Sequence, residues 1–292
     1  MRIMKKVTSV VLMSCLLCGT FIVGFPSQKV FALSGDGGQT QKITTEKGAG
    51  MYLKKINSDQ SLTLSEKSSM AKANIKPEVL AQYTQKSIEK ANAEAEQKAN
   101  AKIQEMNNSG NESWSFQITV DNKDGNKVVL QVSDQPEKDT SFTGYLSRLF
   151  FAPVYAGTVS KDFGNRYFSV RIVPTTGYTM AGILRQENHY TISKTGLSER
   201  YITASKSNVG LTQTTIINSG SISKKYCGKS KGAYVSGYSK YQLKVLNNHV
   251  TYTAKDQITS KVSVVAFHKS SARVNESYSW NRYSLTAHPG GM

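Results

Sequence analysis

Cysteine is scarce in this chain, and so are the residue spacings that mark an enzyme. It has three cysteines in 292 residues, and two of them, Cys15 and Cys18, lie in an amino-terminal stretch expected to be removed. Cys227 is then alone, so no disulfide within the chain is expected and the fold must hold by its core. A lone thiol of this kind is expected to be buried, because free cysteine packs as a small apolar residue. The four histidines are His189, His249, His268 and His288. None stands at i, i+4 from another histidine or from a carboxylate, so no metal motif is present, and no metal or cofactor is expected. His189 and His249 sit in polar, turn-like contexts and are expected to face water.

Nucleotide and glycosidase signatures are missing too. Gly228-Lys229-Ser230 imitates the end of a phosphate-binding loop, but the glycine needed five residues upstream is Ser223. Acids are few in the second half: residues 157–292 hold five, Asp162, Glu187, Glu199, Asp256 and Glu276, against 18 Lys and Arg. None of the five has a recognisable partner for general acid and base work, and no enzymatic activity is expected. Residues 33–156 hold 15 basic and 15 acidic residues. The net charge of +17 therefore comes from the second half together with the amino-terminal stretch.

That stretch reads as a secretory signal over residues 1–32. Arg2, Lys5 and Lys6 precede a largely apolar run from Val7 to Phe25. Val30-Phe31-Ala32 follows with a cleavage pattern, so export and a mature chain starting at Leu33 are expected. Residues 33–60, rich in glycine, read as a flexible lead-in.

Residues 61–156 read as helix plus β-hairpin. Thr63-Leu64-Ser65-Glu66 has capping-box spacing for a short helix. Pro77 and Glu78 then open a longer one that runs without Gly or Pro to Met106, on a thin stripe of small apolar residues. Trp114, Phe116, Ile118 and Val120 alternate with polar residues, Asp124-Gly125 supplies a turn, and Val128, Leu130 and Val132 return. The apolar face of that hairpin needs a cover, and the preceding helix is the expected one. Phe142, Tyr145, Leu146, Leu149 and Phe150 have helical spacing, ended by Pro153.

From residue 157 to 292 short alternating runs recur between Gly and Asn punctuation. Phe168, Val170 and Ile172 form one inward set, Val235, Tyr241, Leu243 and Val245 a second, and Ile258, Val262 and Val264 a third. Tyr278, Trp280 and Leu285 lie in a last strand whose phase is not readable. No repeat of fixed period is present. The fold class expected is α+β: an N-terminal helical region with a hairpin, then a mostly antiparallel all-β domain, sandwich or barrel.

The functional expectation is electrostatic. Lys224, Lys225, Lys229, Lys231, Lys240 and Lys244 interleave with aromatic residues, and in a strand Tyr234, Tyr238, Lys240 and Lys244 share one face. Lysines attract a polyanion and tyrosine rings add stacking, although lysines also guard exposed sheet edges. The expected role is attachment of the basic domain, outside the cell, to an anionic cell-wall polymer or anionic membrane, with nucleic acid a less favoured partner. The alternative is a basic bacteriocin-like or toxin-like effector released from 61–156 as a pro-region. A third reading is an exported hydrolase using Cys227, whose neighbours Lys224, Lys225 and Lys229 would favour its thiolate.

Overall fold

A computed structural model describes residues 41–109, 112–137, 161–177, 180–225, 232–247 and 249–289, without the side chains of 221–225, 247 and 289. The signal-like stretch, the aromatic segment at 142–150 and Cys227 lie outside the described residues.

Three helices come first: α1 (Glu46–Ser58), α2 (Leu64–Asn74) and α3 (Pro77–Asn108). The stretch read as a lead-in therefore holds a helix from residue 46. Thr45 caps it by accepting from the Gly48 amide at 3.2 Å. Its two glycines mark close packing as well as flexibility: a Cβ on Gly50 would lie 2.6 Å from the Tyr83 ring of α3. The capping box expected on α2 is present, with Thr63 and Glu66 satisfying each other's backbone amides.

Ten strands follow: β1 (Trp114–Asp121), β2 (Asn126–Pro136), β3 (Lys161–Asp162), β4 (Gly164–Thr176), β5 (Gly182–Ser193), β6 (Gly196–Asn208), β7 (Thr212–Lys225), β8 (Tyr234–Asn247), β9 (Val250–Phe267) and β10 (Ser271–Pro289). They form two antiparallel five-stranded sheets, ordered β1-β2-β4-β5-β6 and β3-β10-β9-β8-β7. The chain passes from the first sheet to the second at Val209–Leu211, where Gly210 takes the left-handed backbone that the tight turn requires (φ 59°). The inward sets read from sequence all face the core, and β10 gains its phase. Tyr278 and Trp280 point inward, and a register shift between Arg282 and Ser284 turns Leu285 inward as well.

Helix α3 explains its thin stripe. Ala91, Ala95 and Ala99 are buried and let the helix lie close along the sheets. Its amides then serve backbone groups of β10: Asn92 donates to the Trp280 carbonyl at 2.6 Å, and the Leu285 amide donates to Gln85 at 2.8 Å. At the hairpin turn, Tyr83 and Ser87 both donate to the buried Asp124 carboxylate, at 2.8 and 2.6 Å. The helix covers the hairpin as expected, and it also closes the flank of β10.

The sequence boundary between 156 and 157 runs through the first sheet. β2 lies before it, β4 after it, and the two pair over eleven residues. Residues from Thr40 onward form one compact unit.

Candidate functional site

The second sheet carries the residues singled out in the sequence. In β8 the odd positions 235, 239, 241, 243 and 245 are buried. Tyr234, Tyr238, Lys240 and Lys244 thus share the outer face, as the period-two pattern predicts. Lys224 and Lys225 lie in β7, and Lys225 pairs with Tyr234 in the ladder. Lys229 and Lys231 lie outside the described residues.

Two lysines that the sequence reading left out belong to the same face. β9 pairs with β8 so that Lys255 stands opposite Gln242, and Lys261 opposite Ser236. Gln242 is flanked along β8 by Lys240 and Lys244, so three lysines surround one amide. Diagonal neighbours in a sheet lie about 7–8 Å apart, close to the Debye length of about 8 Å at physiological salt, so these charges act together. At that separation in water each of the two diagonal pairs, Lys240 with Lys255 and Lys244 with Lys255, repels by about 0.6 kcal/mol. The sheet tolerates this small cost, and an anion between them turns it into attraction.

Ser236 is flanked along the strand by Tyr234 and Tyr238. Lys261 Nζ lies 4.4 Å from the Tyr234 ring centre, and Lys240 Nζ lies 5.7 Å from that of Tyr238. Asn218 of β7 donates to the Tyr238 hydroxyl at 3.0 Å. The rings therefore hold the lysine heads over the sheet.

Among the described residues the one outward acid of this sheet is Asp162, exposed on the edge strand β3 and separated from β9 by β10. The acids of β7 to β10 are Asp256 and Glu276, each 1% exposed and pointing into the core. Asp256 is held by Arg282, at 2.9 Å to Nε and 3.2 Å to Nη2, and by the Trp280 indole at 3.2 Å. Both acids are spent on internal cations, so no outward carboxylate on β7 to β10 offsets the lysines of β8 and β9 among the described residues.

The outer face of the first sheet is different, and it corrects one expectation. His189 does not face water: it is 7% exposed in the middle of β5. Its ring stacks on Tyr201 at 4.1 Å and tilts against Tyr167 at 5.7 Å. Nδ1 contacts Glu137, and Nε2 lies 3.1 Å from the Thr203 hydroxyl. Arg200 also binds Glu137, and Arg185 binds Glu187 at 2.6 Å. Here positive and negative groups neutralise one another. Cross-strand pairing built this cluster, and no local signal marks it. His249 is exposed, as expected.

No group of histidine, cysteine and acidic side chains that could hold a metal exists among the described residues. No helix among them is long and apolar enough to cross a membrane. No protein-family model matches the chain, and no curated protein or solved structure matches it.

Proposed function

We propose that this is an exported, non-enzymatic attachment protein. The outer face of its second sheet binds an anionic extracellular polymer or surface, such as a cell-wall polymer or an anionic membrane. One observation carries the reading. Lys240, Lys244, Lys255 and Lys261 sit on β8 and β9, which are flanked by strands on both sides, on a face where β7 to β10 carry no outward carboxylate among the described residues. Guarding an exposed edge is the ordinary reason for lysines on a sheet, and it does not apply to interior strands. A polyanion lying across the face would displace counterions from itself as the lysines replace them, so binding weakens as salt rises. That sign is established for nucleic acids and holds for any densely charged chain. The threonines, serines and amides between the lysines offer hydrogen bonds to a hydroxyl-rich or phosphate-rich polymer.

The pairing of β2 with β4 weighs against the effector alternative, because freeing residues 157–292 would break eleven cross-strand pairs. Cys227, the basis of the third reading, gains no support from the described residues.

The test is a pair of charge-matched double variants. Lys240→Gln with Lys244→Gln should weaken binding to anionic vesicles or purified wall polymer by about 2 kcal/mol, on the order of thirtyfold, at roughly 1 kcal/mol per lysine near an anionic surface. Lys194→Gln with Lys206→Gln removes the same charge from exposed positions elsewhere and should change binding much less. Tyr234→Ala with Tyr238→Ala should weaken binding and leave its salt dependence nearly unchanged. Equal losses from the two lysine pairs would show a diffuse field and no site.

A further inference from the structure

A cluster of charges in the core joins the two sheets. Asp134 of β2, Arg166 of β4 and Tyr190 of β5 point inward from the first sheet, and Lys161 of β3 and Glu276 of β10 from the second. None of the five is more than 4% exposed. Lys161 Nζ contacts Asp134 Oδ2 and Glu276 Oε1 together. The same Asp134 carboxylate accepts from Arg166 Nη2 at 3.1 Å and from the Tyr190 hydroxyl at 2.9 Å. The buried Trp114 ring lies 5.4 Å from Lys161 Nζ and helps keep water out. Glu276 Oε2 has no hydrogen-bond partner.

Burying so many charges is a poor way to stabilise a core, because desolvation opposes the attraction between them. The two carboxyl groups are also driven apart. Burial pushes Glu276 above the usual glutamate range, with Lys161 opposing. Burial would raise Asp134 too, but Arg166 and Lys161 outweigh it and hold Asp134 below its usual range. Two acids pushed in opposite directions on one amine is the arrangement that separates a proton carrier from a charge-stabilised partner.

We propose that Lys161 and Asp134 are joined by an intramolecular amide, formed by the folded chain itself with Glu276 relaying the protons. Lys161 Nζ passes one proton through Glu276 to Asp134 Oδ2 and becomes a neutral amine. Nζ then attacks Asp134 Cγ, and the C–N bond forms as negative charge moves onto Oδ1, where the Tyr190 hydroxyl donates. A second proton follows from nitrogen through Glu276 to Oδ2, the C–Oδ2 bond breaks, and water leaves. An ammonium and a carboxylate become an amide and one water, with nothing oxidised or reduced and no co-reactant. Permanent contact between the reacting groups supplies the proximity the step needs.

Asp134, and not Glu276, is the acyl partner because the donor that stabilises its oxyanion, the Tyr190 hydroxyl, stands on Oδ1. The bond ties β2 of the first sheet to β3 of the second. It restrains the chain as a disulfide would, in a sequence left with one cysteine once the signal is gone.

Peptide mapping of the folded full chain by tandem mass spectrometry tests the proposal. The expected product is a branched peptide joining residues 134 and 161, lighter by one water than its two parts. It should be absent from Lys161→Arg and Glu276→Gln, with circular dichroism confirming that each variant folds. The wild-type digest decides whatever the variants do. Full recovery of separate, unmodified peptides carrying Asp134 and Lys161 overturns the proposal, as does a link from Lys161 to Glu276. A link that persists in folded Glu276→Gln overturns the relay.

Discussion

Trp114 is 1% exposed, stacked on Phe116 at 5.7 Å and edge-on to Phe168 at 6.2 Å. Its burial follows from strand alternation alone, so this residue was legible in the sequence. Trp114→Ala should lower stability by about 3–5 kcal/mol, the usual range for a buried aromatic ring, read as a shift in the denaturant midpoint at unchanged slope. A loss below about 0.5 kcal/mol, the range of surface changes, would contradict this packing. His189 shows the opposite case. Its local stretch of sequence is largely polar, yet Tyr201 of β6 and Glu137, just past the end of β2, reach it and cover it. A residue buried by partners 12 and 52 positions away leaves no local trace. Lys255 and Lys261 fall between the two. Their alternation with Ile258, Val262 and Val264 was readable, but only the β8–β9 register places Lys255 beside Lys240 and Lys244, and Lys261 beside Tyr234 and Tyr238.

Among the elements, helices and hairpin were the most legible because caps, turn residues and periodicity are local signals. Pro77 opens α3, the Thr63–Glu66 box opens α2, and Asp124-Gly125 turns the hairpin. α1 was missed because glycines in a short polar stretch look like a loop until the packing of Gly50 against Tyr83 is known. The phase of β10 was hidden by its register shift, which breaks simple alternation between Arg282 and Ser284. Sheet order was not legible at all, since it depends on which strands meet across the core. Gly237 of β8 marks one such meeting: a Cβ there would fall 2.1 Å from Ile202 Cδ1 of β6. Gly237→Ala should therefore destabilise by about 1–3 kcal/mol through overpacking. Adding Ile202→Ala should recover part of that loss, giving a coupling of about 0.5 kcal/mol or more in a double-mutant cycle. Strict additivity would mean that the two strands do not press on each other at this point.

At the scale of the molecule, the charge asymmetry seen in composition becomes a spatial one. Acids of β9 and β10 turn inward to Arg282 and Lys161, while lysines of β8 and β9 turn outward. The first sheet instead sets Glu137 and Glu187 against Arg200 and Arg185 on its outer face. Composition showed that a basic surface existed, and folding chose which face carries it. The division of the sequence at residue 156 was drawn on charge and on the change to short alternating runs, and neither reports that β2 and β4 are neighbours. Binding must accordingly be measured on a chain that keeps both sheets, because residues 157–292 lack strands of their own first sheet. The most direct measurement is the affinity of that chain for an anionic polymer, titrated from low to physiological salt. Binding that is tight at low salt, weakens steadily as salt rises, and loses part of that slope in the Lys240→Gln, Lys244→Gln variant is the predicted result. No binding to wall polymer, anionic vesicles or nucleic acid at low salt would contradict the account, and so would binding whose salt dependence ignores those two lysines.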